Sequence, residues 1–161
     1  GPTLRSGLAP ADLEAWRAIE ALRQSGRVRL IGVSNVTLEQ LESLCRRARV
    51  RPHFVQNRCY AERGWDREVR GFCAANGLIY QGFSLLTANR KAIASAELAR
   101  IAERHGRAVG QIVFRFALEV GMSPLTGTTD ASHMSADLEV FDFRLDPEEV
   151  ATIERIALKT A

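Results

Sequence analysis

Four short apolar or β-branched runs, each closing on polar or glycine-containing residues, set the limits on how this chain can fold. They occupy residues 27–35, 53–57, 78–84 and 122–129, with helical patterns between them. Strand, helix, strand, helix is the pattern of a parallel sheet whose crossovers are helices. In such sheets ligands gather at the carboxyl ends of the strands. The polar tails Ser34-Asn35, Gln56-Asn57, Ser84 and Thr126-Gly127-Thr128-Thr129 fall at those ends.

The intervening segments carry their own start and stop signals. Pro10 suits a first helical turn; Leu13, Trp16, Ile19 and Leu22 make an apolar stripe that Ser25-Gly26 ends. Thr37 and Gln40 have capping-box spacing ahead of Leu38, Leu41, Leu44 and Cys45 at helical intervals. Gly64-Trp65-Asp66 reads as a loop before a helix that ends at Asn76-Gly77. Residues 85–90 read as an extended loop. Helices are expected over 95–105, stopped by Gly106, and over 109–120, stopped by Gly121, the second apolar enough to be buried. Asp130 is expected to cap a helix running to Leu138, and Asp146-Pro147-Glu148-Glu149 opens the last one. With 161 residues and no linker-like tract, the chain reads as a single domain over 1–161.

Composition excludes several classes. A chain 46% hydrophobic and 25% charged is globular in character. No apolar run approaches the roughly 20 residues that span a bilayer, so no membrane partner is expected. The net charge of +3 is mild and rests on arginine, since Lys91 and Lys159 are the only lysines. The cluster Arg46-Arg47-Ala48-Arg49-Val50-Arg51 lies at a helix C-terminus, where cations complement the dipole. It lacks the interleaved aromatics of a nucleic-acid face, and no nucleic acid is expected. Cys45, Cys59 and Cys73 are odd in number and widely spaced, which indicates neither zinc nor a disulfide framework. A reducing compartment, the cytoplasm, is the expectation. The first residues are too short and polar to read as a signal peptide. A start at Gly1-Pro2 without Met reads as a cleavage scar or a cut from a longer chain.

No self-contained catalytic set stands out. Gly32-Val33-Ser34-Asn35 is not a hydrolase nucleophile elbow. There is no His-Glu-x-x-His and no phosphate-binding lysine loop, and His53, His105 and His133 have no companion at metal-ligand spacing. What remains is a set of neutral polar groups at strand ends. Amides and hydroxyls suit a carboxamide, and a glycine-containing turn feeding a helix suits a phosphate. Phe83 at a strand end suits a flat heterocycle. Together they point to a nicotinamide dinucleotide. Taken singly, Ser34-Asn35 also reads as a turn and cap, and Phe83 as core.

The motifs Ile31-Gly32-Val33-Ser34-Asn35, Phe54-Val55-Gln56-Asn57, Gln81-Gly82-Phe83-Ser84-Leu85-Leu86 and Pro124-Leu125-Thr126-Gly127-Thr128-Thr129 come in a known order and spacing. With the closing segment Phe141-Asp142-Phe143-x-Leu145-x-Pro147-Glu148-Glu149, the chain resembles the aldo-keto reductases over nearly its whole length. The resemblance implies an α/β fold: a (βα)4 half of a TIM (β/α)8 barrel, strands five to eight, with parallel strands and outer helices. It implies NADP(H) or NAD(H) as cofactor. Ser34, Asn35 and Gln56 would hold the nicotinamide carboxamide, and Phe83 would stack on the ring where the family commonly has Tyr. Ser84 and Leu86 would lie along the pyrophosphate. Thr126, Gly127, Thr128, His133 and Asp137 would line the adenosine end. Gly127 and His133 stand where members that grip the 2′-phosphate place Lys and Arg.

By the same resemblance, the family's catalytic Asp, Tyr, Lys and His belong to the first four strands, and none of those motifs occurs here. Tyr60 and Tyr80, the only tyrosines, do not match the family's acid. One reading is the NAD(P)H-binding half of an oxidoreductase that, when complete, reduces an aldehyde or ketone. Another is a non-catalytic half-barrel, natural or designed, that self-associates. A third is an open flavodoxin-like sheet acting as a regulatory module. Half a barrel exposes its inner face and two strand edges, which recruit partners. A C2 homodimer rebuilding eight strands, or a first half supplied in trans, is expected.

Overall fold

A computed structural model describes residues 7–158. The chain alternates as expected: α1 (Pro10–Gln24), β1 (Gly32–Ser34), α2 (Leu38–Arg47), β2 (Phe54–Arg58), α3 (Arg67–Ala75), β3 (Ile79–Phe83), α4 (Arg90–Ile93), α5 (Ala96–His105), α6 (Val109–Glu119), β4 (Ser123–Pro124), α7 (Ala131–Leu138) and α8 (Pro147–Arg155). The strands form one sheet in the order β1-β2-β3-β4. Gly32 pairs with Phe54 and Ser34 with Gln56 across parallel β1 and β2; Gln81 pairs with Ser123 across parallel β3 and β4. Each strand neighbours the next in sequence. A flavodoxin-like sheet reverses direction partway through its order, so the strand order rules out the third reading. None of the helices among the described residues is long and apolar enough to cross a membrane.

The chain divides into two compact units. One comprises the described residues of Gly1–Asn57 with Glu68–Tyr80, the other Arg58–Arg67 with the described residues of Gln81–Ala161. In the first, Leu13, Trp16, Ile31 and Leu44 form a buried cluster, flanked by Leu8, Ile19, Val33, Ala48 and Val50. The Trp16 indole needs a partner once buried. It donates to Glu20 Oε1 (3.1 Å) and to the Val50 carbonyl (3.2 Å), and Val50 N donates to the same Glu20 oxygen (2.8 Å). The carboxylate thus ties α1 to the chain leaving α2. Leu22, which continues the sequence stripe, is 41% exposed instead. β1 is shorter than its apolar run; Leu30, ahead of it, is 54% exposed.

In the second unit, α6 is the central helix. Ile112, Val113, Phe114, Phe116 and Ala117 are buried, and so is Arg115, which donates to Glu119 Oε1 and to the Val140 carbonyl. Trp65 is fully buried, tilted against Phe116 at 5.3 Å between ring centroids, and donates to the Ile153 carbonyl (2.8 Å). To reach that place the chain takes left-handed backbone at Gly64, Trp65 and Asp66, with φ of 65°, 54° and 58°. Such a conformation is costly at a bulky residue, and burial of the whole indole offsets it. The segment expected as an extended loop contains turns and then the single helical turn α4.

Candidate functional site

In the first unit the site residues form one hydrogen-bonded knot where β1 and β2 end. Ser34 Oγ donates to the Gln56 carbonyl (2.8 Å), and Asn35 N donates to the same oxygen (3.0 Å). Asn35 Nδ2 donates to Ser34 Oγ (3.2 Å). Two donors on one carbonyl hold the turn closed, and Asn35 sits at φ 54°, a left-handed position that asparagine tolerates well. Asn57 lies beneath, buried, accepting from Val36 N (3.0 Å) and donating to Val36 O (2.8 Å). Ser34 and Asn35 are exposed, and Gln56 is half-buried. Next to them a cleft of about 380 Å³ is lined by Leu8, Trp16, Ile19, Ser34, Asn35 and Val36 among others.

In the second unit, Phe83 and Ser84 lie where β3 ends, both half-buried. Ser84 also takes a left-handed φ of 57°. The Arg58 guanidinium lies 5.8 Å from the Phe83 ring centroid, and its Nε donates to Ser84 Oγ (3.3 Å). Leu86 follows, half-buried. Asn89 fixes this region. Its Oδ1 accepts from Ala61 N (2.7 Å), and its Nδ2 donates to the carbonyls of Cys59 (2.9 Å) and Leu85 (2.8 Å). One buried amide therefore joins the loop after β2 to the loop after β3. Sequence reasoning missed both residues. Arg58 carried a readable signal, two places past Gln56 along one strand, where side chains return to the same face. Asn89 carried none beyond a turn-forming type.

At the far end of the second unit, Thr126 Oγ1 donates to Asp137 Oδ2 (3.0 Å), joining two of the expected residues. Gly127 is exposed, with open space where a side chain would stand. Thr128 Oγ1 accepts from Asp130 N (3.1 Å). Asp130 then caps α7: its Oδ1 accepts from Ser132 N (2.8 Å), His133 N (3.2 Å) and Ser132 Oγ (2.5 Å). These bonds, that from the Ser132 hydroxyl foremost, hold its carboxyl below the ordinary aspartate value. The helix N–H groups that a phosphate would take are already committed to a carboxylate.

Groups for acid–base chemistry are engaged elsewhere. His53 Nδ1 accepts from Ile31 N (3.4 Å), and His105 Nε2 meets Glu149 Oε2 at 2.9 Å. Tyr80 is buried, and Tyr60 lies under the Arg63 guanidinium, 5.1 Å from its ring centroid. Among the described residues no group of three or more His, Cys, Asp or Glu is placed to hold a metal.

Parallel strands in sequential order, flanked by helices, are the arrangement of a segment of a (β/α)8 barrel. The family model for the aldo/keto reductase family matches residues 8–158, and the chain belongs to that family. It is 29% identical over 163 residues to 7-acetyl-epi-neemfruitin B aldo-keto reductase of Melia azedarach, covering 96% of this chain and 50% of the relative. It is 29% identical over 143 residues to glyoxal reductase of Bacillus subtilis, covering 89% and 51%. A crystal structure of a Bombyx mori aldo-keto reductase in complex with NADP superimposes with a TM-score of 0.81 at 26% identity, over 90% of this chain and 50% of that one. The chain spans about half the length of the curated relatives it matches.

Proposed function

We propose that this chain is the nicotinamide-dinucleotide-binding half of an aldo-keto reductase that, when complete, transfers hydride from NAD(P)H to an aldehyde or ketone. The observation that carries the reading is the Ser34–Asn35–Gln56 knot. It holds two neutral polar side chains in the open beside a half-buried amide, the donor and acceptor chemistry a carboxamide needs. Phe83 is assigned to the nicotinamide ring and Ser84 and Leu86 to the pyrophosphate. Thr126, Gly127, Thr128, His133 and Asp137 are assigned to the adenosine end. The cofactor would supply the hydride. These residues would bind and orient it, and the proton donor would come from strands that precede the matched segment in the family. General acid catalysis is worth about 10²–10⁴-fold, so binding without turnover is expected of the chain by itself. The test is NAD(P)H consumption across a panel of aldehydes and ketones, alongside cofactor binding. Binding with negligible turnover supports the proposal, and robust turnover refutes the assignment of the proton donor.

A second reading, self-association, is favoured by apolar exposure. In the first unit Val28, Leu30 and Ile79 are 36%, 54% and 49% exposed. Side chains of this size on strand-forming segments favour a covering partner. The partner proposed is a second copy in a C2 dimer, or the other half of the barrel. Light scattering distinguishes these states: a monomer at micromolar concentration refutes the dimer. The cytoplasm is the proposed compartment, in keeping with three buried thiols, Cys45, Cys59 and Cys73.

A further inference from the structure

We propose that α7 is a strap that opens and closes as a unit, and that a bound dinucleotide holds it shut by its adenosine end. The inference rests on the proposed assignment of His133 and Asp137, both on α7, to that end. The segment that carries α7 is fixed at its two ends. Leu125 N donates to the Gly82 carbonyl (2.8 Å) at the start. At the finish Val140 is 3% exposed, and its carbonyl accepts from Arg115 Nη1 (3.2 Å). From Thr126 through Glu139 the chain buries no residue. The larger apolar side chains of α7, Met134 and Leu138, are 49% and 70% exposed.

α7 has eight residues. An isolated helix needs roughly 12–15 before it is even marginal in water, and burial of an apolar face normally makes up the difference. α7 has no such burial. Polar contacts keep it in place instead. Asp130 caps its first turn through Ser132 N and His133 N. Asp137 Oδ2 accepts from Thr126 Oγ1 at 3.0 Å, in an exposed bond. Gln111 Nε2 donates to the Ala136 carbonyl (2.8 Å), and Arg107 pairs with Glu139 just past the helix. Among the described residues, Asp137 is the only α7 side chain bonded outside the helix and its cap. An element held this way lies at the low end of a protein's local stability. A ligand that touches His133 and Asp137 together gains both contacts only while α7 is folded, so binding shifts the equilibrium toward the closed strap. Opening of α7 then sets how fast the adenosine end is released.

The test is backbone amide hydrogen exchange, read segment by segment in the free chain and with saturating NADH or ADP, binding being followed separately by fluorescence and calorimetry. In the free chain the α7 amides are expected to exchange at least about a hundredfold faster than those of α6, whose Ile112, Val113 and Phe116 are fully buried. NADH and ADP, each at about a hundred times its dissociation constant, are expected to slow α7 exchange by about ten- to a hundredfold. α7 amides that exchange as slowly as those of α6 in the free chain overturn the inference. Bound NADH that leaves α7 exchange unaltered also overturns it, and the proposal that the chain binds a dinucleotide then stands. A folded chain that binds neither NADH nor ADP overturns that proposal and the inference with it.

Discussion

Replacing Asn89 by alanine removes the amide that joins two loops of the second unit. Three backbone groups lose their partner: Ala61 N at 2.7 Å, Cys59 O at 2.9 Å and Leu85 O at 2.8 Å. The residues that carry them are 1%, 0% and 2% exposed, so water cannot readily substitute. A net hydrogen bond is worth about 0.5–1.5 kcal/mol, and a buried group left unsatisfied costs about 1–3 kcal/mol. Allowing for some relaxation, Asn89→Ala is expected to lose about 2–4 kcal/mol of stability. At about 2–4 °C per kcal/mol for a protein of this size, the melting midpoint falls by about 5–15 °C. Asn89→Asp keeps an acceptor for Ala61 N but turns a carboxylate oxygen toward two carbonyls, so it is expected to cost at least as much. Urea denaturation followed by circular dichroism measures both. A loss below about 1 kcal/mol for Asn89→Ala would show that the three groups are satisfied without the amide, and the clamp would have to be abandoned.

Three further outcomes follow from single contacts. Gly32→Ala would place a Cβ 2.7 Å from the Phe54 carbonyl oxygen and 2.9 Å from Phe54 Cβ, on the strand paired with it. Backbone cannot move aside as a side chain can, so a loss of about 1–3 kcal/mol is expected on denaturation. The Asp130 carboxyl, held low by the Ser132 and His133 donors, is expected to titrate below the ordinary aspartate value in a carbon-detected NMR titration. A lowered folded pKa means that its contribution to α7 is present above the unfolded value and lost as pH falls through the folded one; a titration at or above the ordinary aspartate value counts against the cap. Gly127→Lys combined with His133→Arg supplies cations at the proposed adenosine end, and is expected to raise NADPH affinity relative to NADH by about tenfold or more. No change in that preference would mean that these positions do not face the 2′ oxygen.

Features set by local chemistry could be read from the residues. The Thr37–Gln40 box forms reciprocally, with Gln40 N donating to Thr37 Oγ1 (3.2 Å) and Thr37 N to Gln40 Oε1 (3.0 Å). Asp146 and Glu149 do the same at α8. Gly106 and Gly121 end α5 and α6 with φ of 61° and 72°, as glycine after a helix should. Features set by distant partners could not be read. The length of β1 depends on what pairs with it, not on the apolar run that precedes it. Trp65 adopts left-handed backbone because Phe116 and Ile153, far along the chain, bury its indole. The same division holds at the site. The polar residues that follow each strand could be placed because strand periodicity and position are local. The Arg58–Phe83 contact and the Asn89 clamp need two loops brought into register, which no single segment encodes.

Fluorescence titration of the folded chain with NADH and NADPH, repeated on Phe83→Ala, is the most direct measurement. The expected result is saturable binding that weakens by about three- to tenfold when the stacking ring is removed. A chain that is folded by circular dichroism yet shows no saturable signal, or binds equally well without the ring, would contradict the proposal that this chain is a dinucleotide-binding element.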